Sequence, residues 1–394
     1  MTARITPPAP TVTSCPLVIR GSSFFPPLWS FKPMMSLIRW LKVTGLQIFA
    51  SVFTLLAPLS AQADDSLLYT TRAATVLPGA GYSWGFAALQ PAQPHLYIAR
   101  RENGLSVFDV ERQVLIKTLD NSTGANAVAF APEHNRAYVA NMDGTLGIVA
   151  LDRMTVQNRL KLDSGNLNNV IYDAGHQRVI VTSGRRGDHS TLYFIDARTD
   201  ALVGSRQVPA QKLDAPIVLS DGTLIVPMRD ENQVAVLSGQ LLEKHQYWTF
   251  EGCNKPSAVA ADESRQRLFI ACRGASPQLI IADLMTGKRL AALPTTRAVN
   301  SMAYDRQNDR LLIPSGADAS LTVVARDPDG QYRTKGSVST RLWAHNMTFD
   351  SARSQAYLLS AEFTQPEPTA EQPKPDPIFH PNTFTVTTLK ETLK

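Results

Sequence analysis

The chain has 394 residues, 39 Lys+Arg against 34 Asp+Glu for a formal charge of +5 at pH 7, 44% hydrophobic residues and only three cysteines. Five of the basic residues (Arg4, Arg20, Lys32, Arg39, Lys42) and none of the acidic ones precede residue 64, so the chain from Asp64 onward carries 34 of each and is electrically balanced. The overall positive charge is therefore no argument for a polyanionic partner or an anionic membrane surface, and the cysteine count excludes a densely cross-linked small-domain framework.

Residues 1–33 are rich in proline, contain Cys15, and precede a better start at Met34 or Met35; they are read as a start-site artefact or an extended n-region. From Met34 the chain runs MMSLIRWLKVTGLQIFASVFTLLAPLSAQADD, with Arg39 and Lys42 ahead of an apolar run that ends in Ala61-Gln62-Ala63. That is the layout of a cleaved secretory signal over 34–63, with export to the periplasm and no stable membrane span after cleavage. A retained membrane anchor is the alternative; Gln47, Pro58 and the small residues at the end argue against it.

The segment LLYTTRAATVLP (Leu67 to Pro78) has no sequence neighbour to pair with, and beyond it one pattern recurs. The copies are clearest in ANAVAFAPEHNRAYVANMDGTLGIVALD, NLNNVIYDAGHQRVIVTSGRRGDHSTLYFIDART, KPSAVAADESRQRLFIACRGASPQLIIADLMTGK and AVNSMAYDRQNDRLLIPSGADASLTVVARD. Two weaker copies begin at Ser83 and Asp214, and a seventh, AHNMTFDSARSQAYLLSAEF, is followed by a Pro-rich insertion over 364–382 and then NTFTVTTL. Each copy holds four short apolar strands, and the spacing of about 40 to 45 residues is the period of a propeller blade. The expected fold is all-β: a seven-bladed β-propeller over 64–390, four antiparallel strands per blade. The N-terminal strand completes the last blade, whose own repeat supplies only three, and so removes an exposed edge. The insertion is read as extended and poorly packed, either an acidic lid over the channel or disordered.

In a four-stranded blade, the loop leading into the innermost strand and the loop leaving the second strand lie at the same end. Aligning the copies puts Gly85, Asn126, Asn168, Ala215, Ser257, Asn300 and His345 at one position at the channel mouth. The loops after the second strands add Arg100, Arg101, Arg185, Arg186, Arg229 and Arg273, and the entering loops Lys212 and Lys255. Guanidinium groups gathered there would capture carboxylates or phosphates. Against this, the Asn and Ser side chains could simply satisfy loop backbone, and acids such as Glu102, Asp188, Asp230 and Glu362 in the same loops could neutralise the rim. Trp84 and Trp343 are candidate stacking platforms, or blade-interface packing. Cys253 and Cys272 fall on the same face at the two ends of one hairpin, where a disulfide would contribute roughly 3 kcal/mol; buried thiols and a redox or metal pair are the other readings.

The unit C-x-x-P-S running from Cys253 to Cys272, the later Arg341-Leu-Trp-Ala-His-Asn-Met347-Thr-Phe-Asp350, Ala361-Glu362-Phe363 and Phe384-Thr-Val386 resemble the exported YncE-like (YVTN-type) seven-bladed propellers. The resemblance spans Leu67 to Leu389, is strongest after Gly252, and drifts in the first four blades, where DAPIVLSDG lacks the usual inner-strand Asp. It implies a periplasmic propeller and adds single-stranded nucleic acid to the candidate partners, which the balanced charge disfavours.

No sequence signature of hydrolysis, phosphate-loop binding or zinc ligation occurs, so neither cofactor nor metal site is expected. His345 with Glu362 is the one candidate acid/base pair, and no catalytic residue is assigned. The reading is a monomeric, non-catalytic exported propeller binding an anionic small molecule or an envelope protein at its Arg-rimmed channel face. The alternatives are a lactonase-like metal-dependent hydrolase and a scaffold for an envelope complex.

Overall fold

The second and third strands of the repeats are runs such as RVIVTS and QLIIAD with no polar alternation, which suits strands covered on both faces. A computed structural model, describing residues 68–392, bears this out: Arg178–Ser183, Leu224–Met228 and Gln355–Ser360 are buried along their whole length. The outermost strands alternate instead, as in Thr155–Lys161 and Ala201–Val208. Seven four-stranded antiparallel sheets follow one another along the chain, and each of the first six is built in sequence order from inside to outside. The signal-peptide reading, and the residues before it, lie outside the described residues.

The seventh blade takes its inner strand from Asn346–Asp350, its second from Gln355–Ser360 and its third from Phe384–Glu391. Its outer strand comes from the other end of the chain: Tyr69–Leu77 pairs antiparallel with Phe384–Glu391, from Tyr69 opposite Glu391 to Leu77 opposite Phe384. The unpaired N-terminal segment therefore closes the ring, as its lack of a neighbour implied.

The hydrophobic core is divided into seven clusters, each made by two adjacent blades. Phe194 and Ile180 of the third blade meet Leu224 and Val226 of the fourth. Tyr357 and Val386 of the seventh meet Leu96 and Phe108 of the first across the point of closure. At the end of the channel away from the cysteines, inner strands finish in buried aspartates that accept turn N–H groups and clasp an arginine: Asp173 with Arg178 at 2.8 Å, Asp305 with Arg310 at 2.9 Å and Asp350 with Arg353 at 3.0 Å. The fourth blade has Ser220 there, and its inner strand shrinks to Ile217–Val218.

The insertion of the last blade has a folded base. Phe363–Thr364 pairs with Ile378–Phe379, the Thr364 hydroxyl meets His380 Nε2 at 2.8 Å, and Phe379 packs edge-on to Trp84 and Trp343 at 4.8 and 5.6 Å. Only the stretch between these strands lacks regular structure.

Cys253 and Cys272 are joined, and both are buried, at 4% and 0% exposure. The bond ties the segment arriving from the fourth blade to the end of the fifth blade's second strand. Protein beginning at Asp64 is expected to take up no alkylating reagent when denatured without reductant; two adducts by mass would refute the bond. Replacing both cysteines by serine should cost about 2–3 kcal/mol in urea unfolding.

Candidate functional site

The polar residues that open the inner strands form a belt from blade to blade. Asn126 Nδ2 donates to the carbonyls of Leu167 and Asn168 at 3.1 and 2.9 Å, and Asn168 Nδ2 to that of Leu213 at 2.7 Å. Ser257 Oγ donates to the Val299 carbonyl at 2.9 Å, and Asn300 Nδ2 to Asn346 Oδ1 at 2.7 Å. Asn346 Nδ2 then reaches the Gly85 carbonyl of the first blade at 2.6 Å. These side chains are committed to holding neighbouring blades together: the polar mouth is mainly structural, with bonds that run between blades rather than within loops.

Two members of the sequence alignment change. In the fourth blade Leu213 bridges Met228 while Ile217 pairs with Ile225, so the chain bulges at Asp214, and that residue rather than Ala215 takes the belt position. Pro216 and the short inner strand hid this shift. In the seventh blade Asn346, one residue beyond the aligned His345, makes the closing bond. The imidazole of His345 is thereby left over.

The register of each inner strand places Arg101, Arg229 and Arg273 at one equivalent position in the first, fourth and fifth blades, within two residues of the end of the second strand. The other blades have Met142, Gly184, Gly316 and Ala361 there. Arg229 grips buried Asp214 through two bonds of 2.6 and 2.9 Å, with a third to Asn300 Oδ1 at 3.3 Å, and Lys212 stands 3.6 Å from the same carboxylate. Burial pushes the Asp214 carboxyl up, against the pull of Arg229 and Lys212. Arg101 is held by one bond, Nε to Asn126 Oδ1 at 3.0 Å. The Arg273 guanidinium makes no hydrogen bond or ion pair among the described residues; burial, and then the neighbouring Arg229 charge, lower its pKa to about 10 against the more distant pull of Asp214.

His345 lies where the fields of these arginines meet. Loss of water, and then the charges of Arg273, Arg229 and Arg101, lower its pKa to about 4, so it is neutral at pH 7. Neither ring nitrogen is hydrogen-bonded among the described residues, and the Trp343 ring lies edge-on at 5.8 Å. Gly316 leaves room for the imidazole, since a Cβ there would sit 2.7 Å from Nδ1.

Other sequence candidates fall elsewhere. Arg100 is 1% exposed, donates to the Pro78 carbonyl at 2.9 Å and stacks over Phe384 at 4.7 Å, inside the contact of the seventh and first blades. Trp84 is 8% exposed in the same contact, packed on Phe379 and Phe384, and offers no free face. Arg185 points outward to Gln211 and Asp230 at 2.7 and 3.1 Å. Around the rim Arg186 pairs with Asp163, Arg297 with Asp318 and Arg341 with Glu362. The last pair engages the carboxylate that His345 would need as an acid/base partner. Cavities of about 350 and 270 Å³ share no residue with the mouth; they lie against Gln90 and His95, and against Thr223 and Trp248. Among the described residues no group of three His, Cys, Asp or Glu side chains is arranged to hold a metal ion.

Fold and site together define a seven-bladed β-propeller with cationic side chains gathered at one end of its channel. No protein-family model and no curated protein matches the chain. Solved structures do. A chain of the mitotic checkpoint complex is 13% identical with a TM-score of 0.64, over 88% of this chain and 99% of that one. The WD40 repeats of RRP9 are 10% identical with a TM-score of 0.65, over 82% and 100%. Kuenenia stuttgartiensis hydrazine synthase is 14% identical with a TM-score of 0.60, over 73% and 94%. At such identities the likeness establishes the WD40-like scaffold, and no residue's role carries over from it.

Two outcomes test this geometry. Asn346→Ala should lower stability by about 1–3 kcal/mol in urea unfolding, because Asn300 and the Gly85 carbonyl lose their partner at the closure. His345 protonates near 4 when folded and near 6.5 when unfolded, so the stability it permits is complete above about 6.5 and is lost as pH falls toward 4. His345→Gln should therefore lose less stability than the parent between pH 7 and pH 5, by on the order of 1–2 kcal/mol.

Proposed function

We propose that the protein is an exported, non-catalytic propeller that binds a small anion at the channel mouth. The observation that carries this reading is the Arg273 guanidinium, which has no hydrogen-bond or ion-pair partner among the described residues and acts with Arg229 and Arg101 on His345, while the nearby Asp214 carboxylate is engaged by Arg229. Partly desolvated cations that lack a protein counter-ion favour an anionic guest, and the two pinned arginines hold donors ready for it. Three guanidiniums around His345 would repel a divalent cation, which weighs against the lactonase-like alternative. With Arg186, Arg297 and Arg341 paired to rim carboxylates, the cations left free are few and gathered at the channel mouth, so the charge favours a small guest over a polyanion.

Export to the periplasm, with cleavage before Asp64, is supported by the Cys253–Cys272 disulfide, a bond of oxidising compartments, and by the resemblance to YncE-like propellers. Among the described residues no helix is long and apolar enough to cross a membrane. A monomer fits a ring that closes on its own N-terminal strand. A scaffold role for an envelope protein is the second reading, and the exposed Leu202, Val203, Met285 and Leu290 on the third and fifth blades favour it.

Thermal shift and calorimetry with inorganic phosphate and citrate, at constant ionic strength, test the anion reading. The expected result is a melting temperature that rises with either anion and a tenfold or greater affinity loss in Arg273→Ala, with Arg185→Ala unchanged. Equal binding by the parent and Arg273→Ala would overturn it.

A further inference from the structure

We infer that the anion taken at the channel mouth carries a planar aromatic group, which seats against Trp343 beside His345. This rests on the anion reading above and names its chemical class. The position two residues before the belt is left-handed in four blades: φ is 93° at Gly124, 55° at Lys255, 54° at Ala298 and 63° at Trp343. Glycine, as in the second blade, adopts this conformation without penalty, whereas a bulky side chain is strained in it. Tryptophan is thus among the costliest residues the fold could carry there, and strain of this kind gathers where a side chain has a task.

Trp343 is also held in place. Its backbone N–H donates to the Gly316 carbonyl at 2.8 Å, and Phe363 and Phe379 at the base of the last blade's insertion pack edge-on to it at 6.2 and 5.6 Å. The indole remains partly exposed, and its N–H has no acceptor among the described residues. Trp84, by contrast, is sealed into the blade contact. Trp343, His345 and Arg273 therefore bring an aromatic surface with an unused donor, a neutral imidazole and an unpaired guanidinium to one mouth. At the arginine position the seventh blade has Ala361, so no long side chain stands there beside Trp343, while the space at Gly316 in the sixth blade is filled by His345 itself. A bare inorganic anion would use the arginines and leave the indole idle; an aryl phosphate or aryl carboxylate uses both.

The test compares two probes with one headgroup, methyl phosphate and phenyl phosphate, by calorimetry on the purified protein. Phenyl phosphate is expected to bind at least tenfold more tightly than methyl phosphate. Trp343→Leu should cut that preference below threefold while leaving methyl phosphate affinity unchanged, Trp343→Phe should restore most of it, and Arg273→Ala should weaken both probes. Equal affinities for the two probes would overturn the aromatic inference and leave the anion reading standing, as would a preference that survives in Trp343→Leu. If neither probe binds at millimolar concentration, both readings fall.

Discussion

Every other feature of this molecule depends on a single constraint: no blade can bury its two faces alone. Each of the seven cores is half one blade and half the next, so the apolar runs of the second and third strands are satisfied only when the ring is complete. An open arrangement would leave Leu96, Phe108, Tyr357 and Val386 facing water. Pairing Tyr69–Leu77 with Phe384–Glu391 closes the ring and places both ends of the propeller in one sheet.

Closure also shapes the channel mouth. The belt joins successive blades by side chain to carbonyl bonds, and at the seventh blade Asn346 makes the connection to Gly85. The belt position proper is then free to carry His345, whose ring serves no neighbour. At the fourth blade the belt residue is Asp214, whose carboxylate can only accept; it clasps Arg229 and leaves Arg273 of the next blade without a counter-ion. The asymmetric cluster is thus the product of two local departures from an otherwise repetitive ring.

The fold was legible in the chain because it rests on periodicity. A copy such as KPSAVAADESRQRLFIACRGA shows the strand order, the turn and the cysteine positions without reference to anything distant. The site was legible only in part. Residue types at the right loop were readable, but Arg100 and Arg101 are adjacent and look alike in sequence, and opposite directions of successive side chains send one into the blade contact and the other to the mouth. The belt residue sits at a bulge in the second, third and fifth blades as in the fourth, where it falls on Asp214, but a two-residue inner strand left the repeat there too weak to align. The available signal was the break in the repeat, Pro216 two residues after an acid where four other blades carry Asn or Ser.

What the sequence determined by itself was the all-β propeller, its blade count, its closure by the first strand and the proximity of the two cysteines. Strand patterning and repeat length are local quantities, and seven copies of one pattern leave little freedom in how they assemble. Tertiary structure decided which charged groups are spent on each other. Arg185 meets Asp230, Arg341 meets Glu362 and Arg229 meets Asp214 across separate loops, and pairing energies depend on distance and burial that composition does not encode. Arg273 and His345 stand out only after those pairs have been made, because an unpartnered group is defined by everything around it.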